Sequence, residues 1–213
     1  MSAPVLYPLR PVDTAVVRVT DLAHGRRRIT IDHRPLPGIS PAMLLGWFTG
    51  LIGTMTYGDQ VVDRYHAWHP IDHIRVELAR QAPNGGFAEG ARLRIVEAFG
   101  GRPEYTTDEV VRIEKLDETG IRLVKRVGPA ILFQLEHTWS VGTDGLHYLS
   151  VMEIGARSRL MTPVNRVISR RMSSDQGRAW VRHNVEEVGQ LEYLLPTLAD
   201  SGEGGSRSAS TGG

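Results

Sequence analysis

Cysteine is absent from all 213 residues, which excludes disulfides and thiolate metal sites and leaves any metal ion to His, Asp and Glu. An excess of charge of either sign is also missing. The 25 Lys and Arg stand against 24 Asp and Glu, a formal net charge of +1, so no broad field draws the chain to nucleic acid or anionic lipid. No apolar run reaches the roughly 20 residues that cross a bilayer. The start, Met1-Ser2-Ala3-Pro4, shows no basic-then-apolar leader. The expectation is a soluble cytoplasmic protein that takes neither nucleic acid nor membrane as partner. At 41% hydrophobic, the length suits one core of ordinary size.

Residues 1–12 carry three prolines and little periodicity, which predicts a loose arm, and residues 199–213 read as a polar, disordered tail. A single domain is expected over 13–198. Thr14–Thr20 and Arg27–His33 alternate with the period of two of half-buried strands, joined by a hairpin over His24-Gly25. Ser40-Pro41 is a helix opening, with the helix running from Met43 to about Ile52. From His73 the chain turns to β. Ile74–Arg80, Ala91–Phe99, Val110–Lys115, Ile121–Val127, Ile131–Trp139 and Leu146–Ile154 are short, alternating and separated by turn residues, which predicts an antiparallel meander. After Thr162-Pro163 come a short helix to about Arg171 and a longer one, opened by Ser173 with Gln176 at capping-box distance and closed by Pro196. An α+β fold results, with a curved antiparallel sheet covered by a long C-terminal helix and a cavity between them.

Polar residues interrupt the inward faces. Glu97 shares a face with Leu93, Ile95 and Phe99; His137 sits among Ile131, Phe133, Leu135 and Trp139; Tyr148 and Ser150 lie between Leu146 and Met152. A buried carboxylate pairs with a cation, binds metal or takes up a proton. An internal ion pair with Arg would serve Glu97 equally, and a lone buried His is commonly a satisfied core residue. On the long helix His183 and Glu187 stand four apart, so ring and carboxylate can converge as in helical metal sites, although the same spacing also suits an ordinary surface pair. The segment Tyr65-His66-Ala67-Trp68-His69-Pro70-Ile71-Asp72-His73 packs three His into eight residues. Asp72 or a backbone carbonyl could orient a ligating His73. By parity, however, His73 faces away from Ile74, Val76 and Leu78, and turns inward only if the strand begins after it or carries a bulge.

These pieces resemble the zinc-dependent hydrolases of acylated phloroglucinols, the diacetylphloroglucinol and phloretin hydrolases. The similarity rests on Met43-Leu44-Leu45-Gly46-Trp47-Phe48, on Tyr65 with Trp68-His69-Pro70-Ile71-Asp72-His73, on Glu97 and His137, and on His183 and Glu187 ahead of Leu191-Glu192-Tyr193-Leu194-Leu195-Pro196. It spans about residues 26 to 198, in the family's order. It implies a helix-grip domain of the START/Bet v 1-like kind. A Zn2+ ion would be held by His73, Glu97, His183 and Glu187, with His69 and Glu104 in reserve for the first two ligands. Tyr65, His137 and Tyr148 would hold substrate hydroxyls or move protons. The implied activity is hydrolysis of a carbon–carbon bond between an aromatic ring and an acyl group, with an acylphenol as substrate and a homodimer left open. Two other readings suit the same fold: a carrier of a hydrophobic small molecule, and a polyketide cyclase or aromatase that needs no zinc.

Overall fold

The computed structural model describes residues 3–171 and 175–200. The first hairpin forms from β1 (Val16–Leu22) and β2 (Arg26–Asp32), paired antiparallel. Its reversal uses His24 and Gly25, both with positive φ, a conformation glycine takes without a Cβ clash. Helix α1 (Pro41–Thr49) opens as its sequence predicts, with the Ser40 hydroxyl accepting from the Met43 amide at 3.2 Å and Pro41 in the first turn. Next comes a small hairpin absent from the sequence reading, β3 (Thr54–Tyr57) and β4 (Gln60–Asp63), turning at Gly58, followed directly by the short helix α2 (Arg64–Trp68).

The meander follows as β5 (His73–Arg80), β6 (Arg92–Ala98), β7 (Thr106–Asp117), β8 (Gly120–Val127), β9 (Ala130–Val141) and β10 (Leu146–Ile154). With β1 and β2 it makes one eight-stranded antiparallel sheet in the order β1-β2-β10-β9-β8-β7-β6-β5. The chain closes with α3 (Thr162–Arg171) and α4 (Asp175–Asp200).

Helix α4 supplies Val188, Leu191, Leu194 and Leu195 to the main core, where they meet Ile121, Trp139, Leu146 and Tyr148 of the sheet and Leu44, Trp47 and Phe48 of α1. This is the helix-grip arrangement, an antiparallel sheet closed over a long terminal helix. The expected cap Ser173 lies outside the described residues. Pro196 does not end α4 as expected, because the helix runs on to Asp200. A proline this close to a helix end forfeits one backbone bond, that of its missing N–H to the Glu192 carbonyl. Burial of Leu194, Leu195 and Leu198 holds the last turns in place.

Of the arm expected to be loose, residues 3–12 lie along α4 without a strand or α-helix. Arg10 ion-pairs with Glu192, Gln190 donates to the Pro8 carbonyl at 3.1 Å, and Tyr7 stacks on Tyr193 at 4.9 Å. Of the expected tail, 199 and 200 complete α4 and the rest lies outside the described residues.

Candidate metal centre

His73 begins β5, Glu97 is the last residue but one of β6, and His183 and Glu187 lie one helical turn apart on α4. Strict alternation would turn His73 to the wrong face. A register shift between His73 and Arg75 breaks the alternation and sets His73 opposite Glu97, which is how a β-bulge re-aims a side chain. His73, His183 and Glu187 are all buried. The His73 Nε2 lies 3.7 Å from Glu97 Oε1 and 3.6 Å from Glu187 Oε2. The His183 Nε2 lies 3.9 Å from Glu97 Oε1 and 3.6 Å from Glu187 Oε2. Zinc bonds of about 2.0–2.2 Å in tetrahedral geometry give ligand–ligand edges of about 3.3–3.6 Å; His73, His183 and Glu187 converge closely enough to hold a small cation, while Glu97 approaches both imidazoles but stands outside that three-residue group. The His73 Nε2 is a buried nitrogen without a hydrogen-bond partner, a costly condition that a metal ion relieves.

Each of the four side chains is held by a neighbour. The His73 Nδ1–H donates to the Tyr65 carbonyl at 2.7 Å and the His183 Nδ1–H to Asp72 Oδ2 at 3.0 Å. These bonds leave both Nε2 lone pairs facing the carboxylates, the usual support of a metal-bound His. Asp72 thus orients His183, while a backbone carbonyl orients His73. The Gly101 amide holds the other Asp72 oxygen at 3.0 Å. Glu97 Oε1 accepts from the Tyr65 hydroxyl at 2.5 Å, and Glu187 Oε1 accepts from Asn184 Nδ2 at 2.6 Å. Tyr65 also stacks on His73 with ring centroids 3.8 Å apart. Trp68 Nε1 donates to the Glu187 carbonyl at 2.8 Å and fastens α2 to the ligand-bearing turn of α4. Tyr65, expected to handle substrate, also holds two of the candidate donors, Glu97 and His73, in this structure.

The reserve residues stand apart from the four donors. His69 Nδ1 accepts from the Asp72 amide at 3.1 Å, so its proton sits on Nε2 and is donated to Glu186 Oε2 at 3.1 Å. Glu186 also accepts from Arg182 at 2.6 Å. Asp72, His183 and His69 also bring donor atoms within 4.8 Å of one another, but the faces they show one another are occupied by these hydrogen bonds. Glu104 is exposed in a 3-10 turn.

A second polar group is built on the middle strands. Ser150 Oγ lies 2.9 Å from His137 Nδ1 and 2.9 Å from His33 Nε2. The Tyr148 ring lies 5.4 Å from that of His137 and 5.5 Å from that of His33, and its buried hydroxyl has no partner. His33 escaped the sequence reading although its signal was present: it follows Ile29 and Ile31 on the same face of the chain, and all three are buried. Glu186 and Asn184 had no comparable signal, since neighbours of a helical His–Glu pair look alike in sequence.

Electrostatics separate the two groups. Burial pulls His183 down, but Glu187, Asp72 and Glu97 outweigh it and lift the ring to about 9. At His73 burial and the neighbouring His183 win, and the ring stays well below its ordinary value. Burial raises Asp72, yet the hydrogen bond from His183 and the neighbouring imidazoles bring it down to about 2. In the second group burial holds His137 at about 4 and His33 at about 3. Tyr65 and Tyr148 are pushed well above 10, chiefly by burial and then by Glu97 and Glu187 respectively. The second group is therefore neutral near pH 7, beside an ionised pair of Asp72 and His183.

None of the candidate residues lines the surface hollow of about 410 Å3 bounded by Arg26, Arg126, Gln134 and Glu153. The candidate residues lie instead between α4 and the sheet.

No family model and no curated protein matches the chain. Among solved structures it is similar to protein Ms6760 of Mycobacterium smegmatis at 11% identity, covering 85% of this chain and 98% of that one with a TM-score of 0.49. It is similar to SA2116 of Staphylococcus aureus, a protein of unknown function, at 11% identity over 82% and 96% with a TM-score of 0.47. Ara h 8.0201 matches at 12% identity over 74% and 97% with a TM-score of 0.41.

Proposed function

We propose that the chain is a zinc-dependent hydrolase that cleaves the carbon–carbon bond between a phloroglucinol-like ring and an acyl group. The observation that carries this reading is the set of contacts of 3.6–3.9 Å joining two oriented imidazoles to two carboxylates. The resemblance noted in the sequence supplies the substrate class. A zinc ion held there would polarise a carbonyl or lower the pKa of a bound water to about 7.

In such a reaction water adds to the acyl carbon and the bond from that carbon to the ring breaks. The electron pair goes to the ring carbon, which takes up a proton, and the products are a carboxylic acid and the deacylated phenol. His137 is neutral and buried, with Ser150 Oγ at 2.9 Å from its Nδ1, which suits it to move a proton between water and ring. Tyr148 keeps its proton at neutral pH and has a hydroxyl without a partner, which suits it to donate to a substrate oxygen. Tyr65 fixes Glu97 and His73.

The test combines zinc content with hydrolysis of acylphloroglucinols by the purified protein. His183→Ala is expected to lose stoichiometric zinc and activity together. His137→Ala is expected to keep zinc and lose at least about 100-fold in rate, the usual weight of a general acid–base group. Zinc-loaded wild-type protein that hydrolyses no acylphloroglucinol would refute the reading.

One observation favours a second function, that of a carrier: the buried Tyr148 hydroxyl could orient a bound small molecule without reacting with it. Zinc-free protein that co-purifies with a hydrophobic ligand would favour the carrier.

A further inference from the structure

Helix α3 turns polar side chains inward and aliphatic ones outward. Asn165 and Ser169 are buried on the side that meets the sheet. Asn165 Oδ1 accepts from the Ala156 amide at 2.8 Å, and its Nδ2 donates to the carbonyls of His24 and Ala156 at 2.9 and 2.7 Å. The Ser169 hydroxyl donates to the Gly25 carbonyl at 2.9 Å. These bonds fasten the helix to the reversal between β1 and β2 and to the chain leaving β10. Ile168 packs against the core, but Val164 and Val167 are 43% and 59% exposed, and Leu160, one turn earlier, is 89% exposed. Spaced by four and then three, these three make one stripe along the helix. Leu160 is held in place on that stripe: Ser158 Oγ accepts from its amide at 3.3 Å, and the Thr162 hydroxyl donates to the Arg159 carbonyl at 2.7 Å. Single exposed aliphatics are ordinary on a surface, whereas a contiguous set marks a contact.

Arginines surround the stripe. Arg157, Arg159 and Arg166 are exposed beside it. Carboxylates on the adjoining elements are engaged by other arginines, Asp21 by Arg27, Glu153 by Arg26 and Arg28, and Asp175 by Arg178. Near neutrality of the whole chain sets the expectation against a membrane partner, but that average runs over an uneven surface with a basic, apolar end.

We propose that α3 and the turn before it form a peripheral docking face for an anionic lipid surface. Leu160, Val164 and Val167 sit at the boundary of headgroups and acyl chains, and Arg157, Arg159 and Arg166 meet the headgroup phosphates, as basic amphipathic helices do. Charge complementarity selects this occupant. A second copy would bring the same arginines face to face, and nucleic acid would match the arginines but leave the aliphatic stripe uncovered. The candidate metal donors lie on β5, β6 and α4, so the inference stands apart from the hydrolase reading.

The experiment is sedimentation of the full chain with phosphatidylcholine vesicles made with and without phosphatidylserine, at low and high salt. Binding is expected with phosphatidylserine alone and should weaken as salt rises. Arg159→Gln and Arg166→Gln should each weaken it about fivefold, the weight of one basic residue near an anionic surface. Leu160→Ser should weaken it several-fold with the melting temperature unchanged, because that side chain already stands in water. Seating is read separately in Leu160→Trp, whose added fluorescence should be quenched by lipids brominated on their acyl chains, the four native tryptophans being buried. No binding to the mixed vesicles, equal binding with and without phosphatidylserine, or binding with the added fluorescence unquenched would overturn the proposal. A wild-type dimer that Leu160→Ser dissociates would overturn it too, by showing that a second copy covers the stripe.

Discussion

His73 and His183 meet the same pair of carboxylates but are held by different groups, a backbone carbonyl behind one and Asp72 behind the other. The Asp72 contact can be weakened alone. Asp72→Asn should lower zinc affinity by about 10–100-fold, the usual effect of losing a carboxylate behind a metal-bound His, as read by competition with a chelator. Protons compete at the same place. Without zinc the raised His183 contributes stability below its unfolded value of about 6.5, and that contribution is lost as pH rises through about 9. Zinc takes the place of that proton, so affinity should rise with pH up to about 9 and then level off.

His33 and His137 act in the opposite sense. Both are held neutral in the fold, at about 3 and about 4, while the unfolded chain takes up protons below about 6.5. Stability should therefore fall as pH drops from about 6.5 toward 4, by roughly 3 kcal/mol for His137 alone. Urea unfolding at pH 7 and pH 4.5 checks this, and equal stability at both would contradict it. Among single residues the inward Glu97, His137 and Tyr148 were legible from strand parity. Partnerships were not: that Asp72 serves His183 and that Tyr65 braces Glu97 depends on where α2 and α4 dock, which alternation does not encode.

Strands that alternate over seven or more residues were read with ends shifted by a few positions, β7 and β9 being the longer for it. The hairpin β3–β4 was missed because four-residue strands around Gly58 carry too little pattern to stand out. The bulge at His73 was posed by sequence as a parity conflict, and the structure resolves it in the β5–β6 ladder. Helix α4 holds another close fit. A Cβ on Gly189 would sit 2.5 Å from Arg10 Cγ, so the glycine lets the Arg10 stem cross the helix to reach Glu192. Gly189→Ala should displace Arg10 and cost on the order of 1–3 kcal/mol, as overpacking does, with zinc content unchanged. A melting temperature equal to wild type would show the crossing to be unimportant.

Across the whole molecule, candidate ligands 86 (Glu97 and His183) and 114 (His73 and Glu187) residues apart meet because β5, β6 and α4 are neighbours in the helix-grip arrangement. Turn residues and alternation foretold an antiparallel sheet under a terminal helix. Closure of β2 onto β10 is a long-range pairing that no local pattern announces. Among the described residues no helix is long and apolar enough to cross a membrane. Everything proposed for the site depends on one cation seated among His73, Glu97, His183 and Glu187. Zinc titration of chelator-stripped protein, with bound metal counted by mass spectrometry, tests this most directly. One zinc per chain in the wild type, lost in both His73→Ala and His183→Ala, is the predicted result. A wild-type protein that binds no zinc, or binds it equally after both substitutions, would contradict the account.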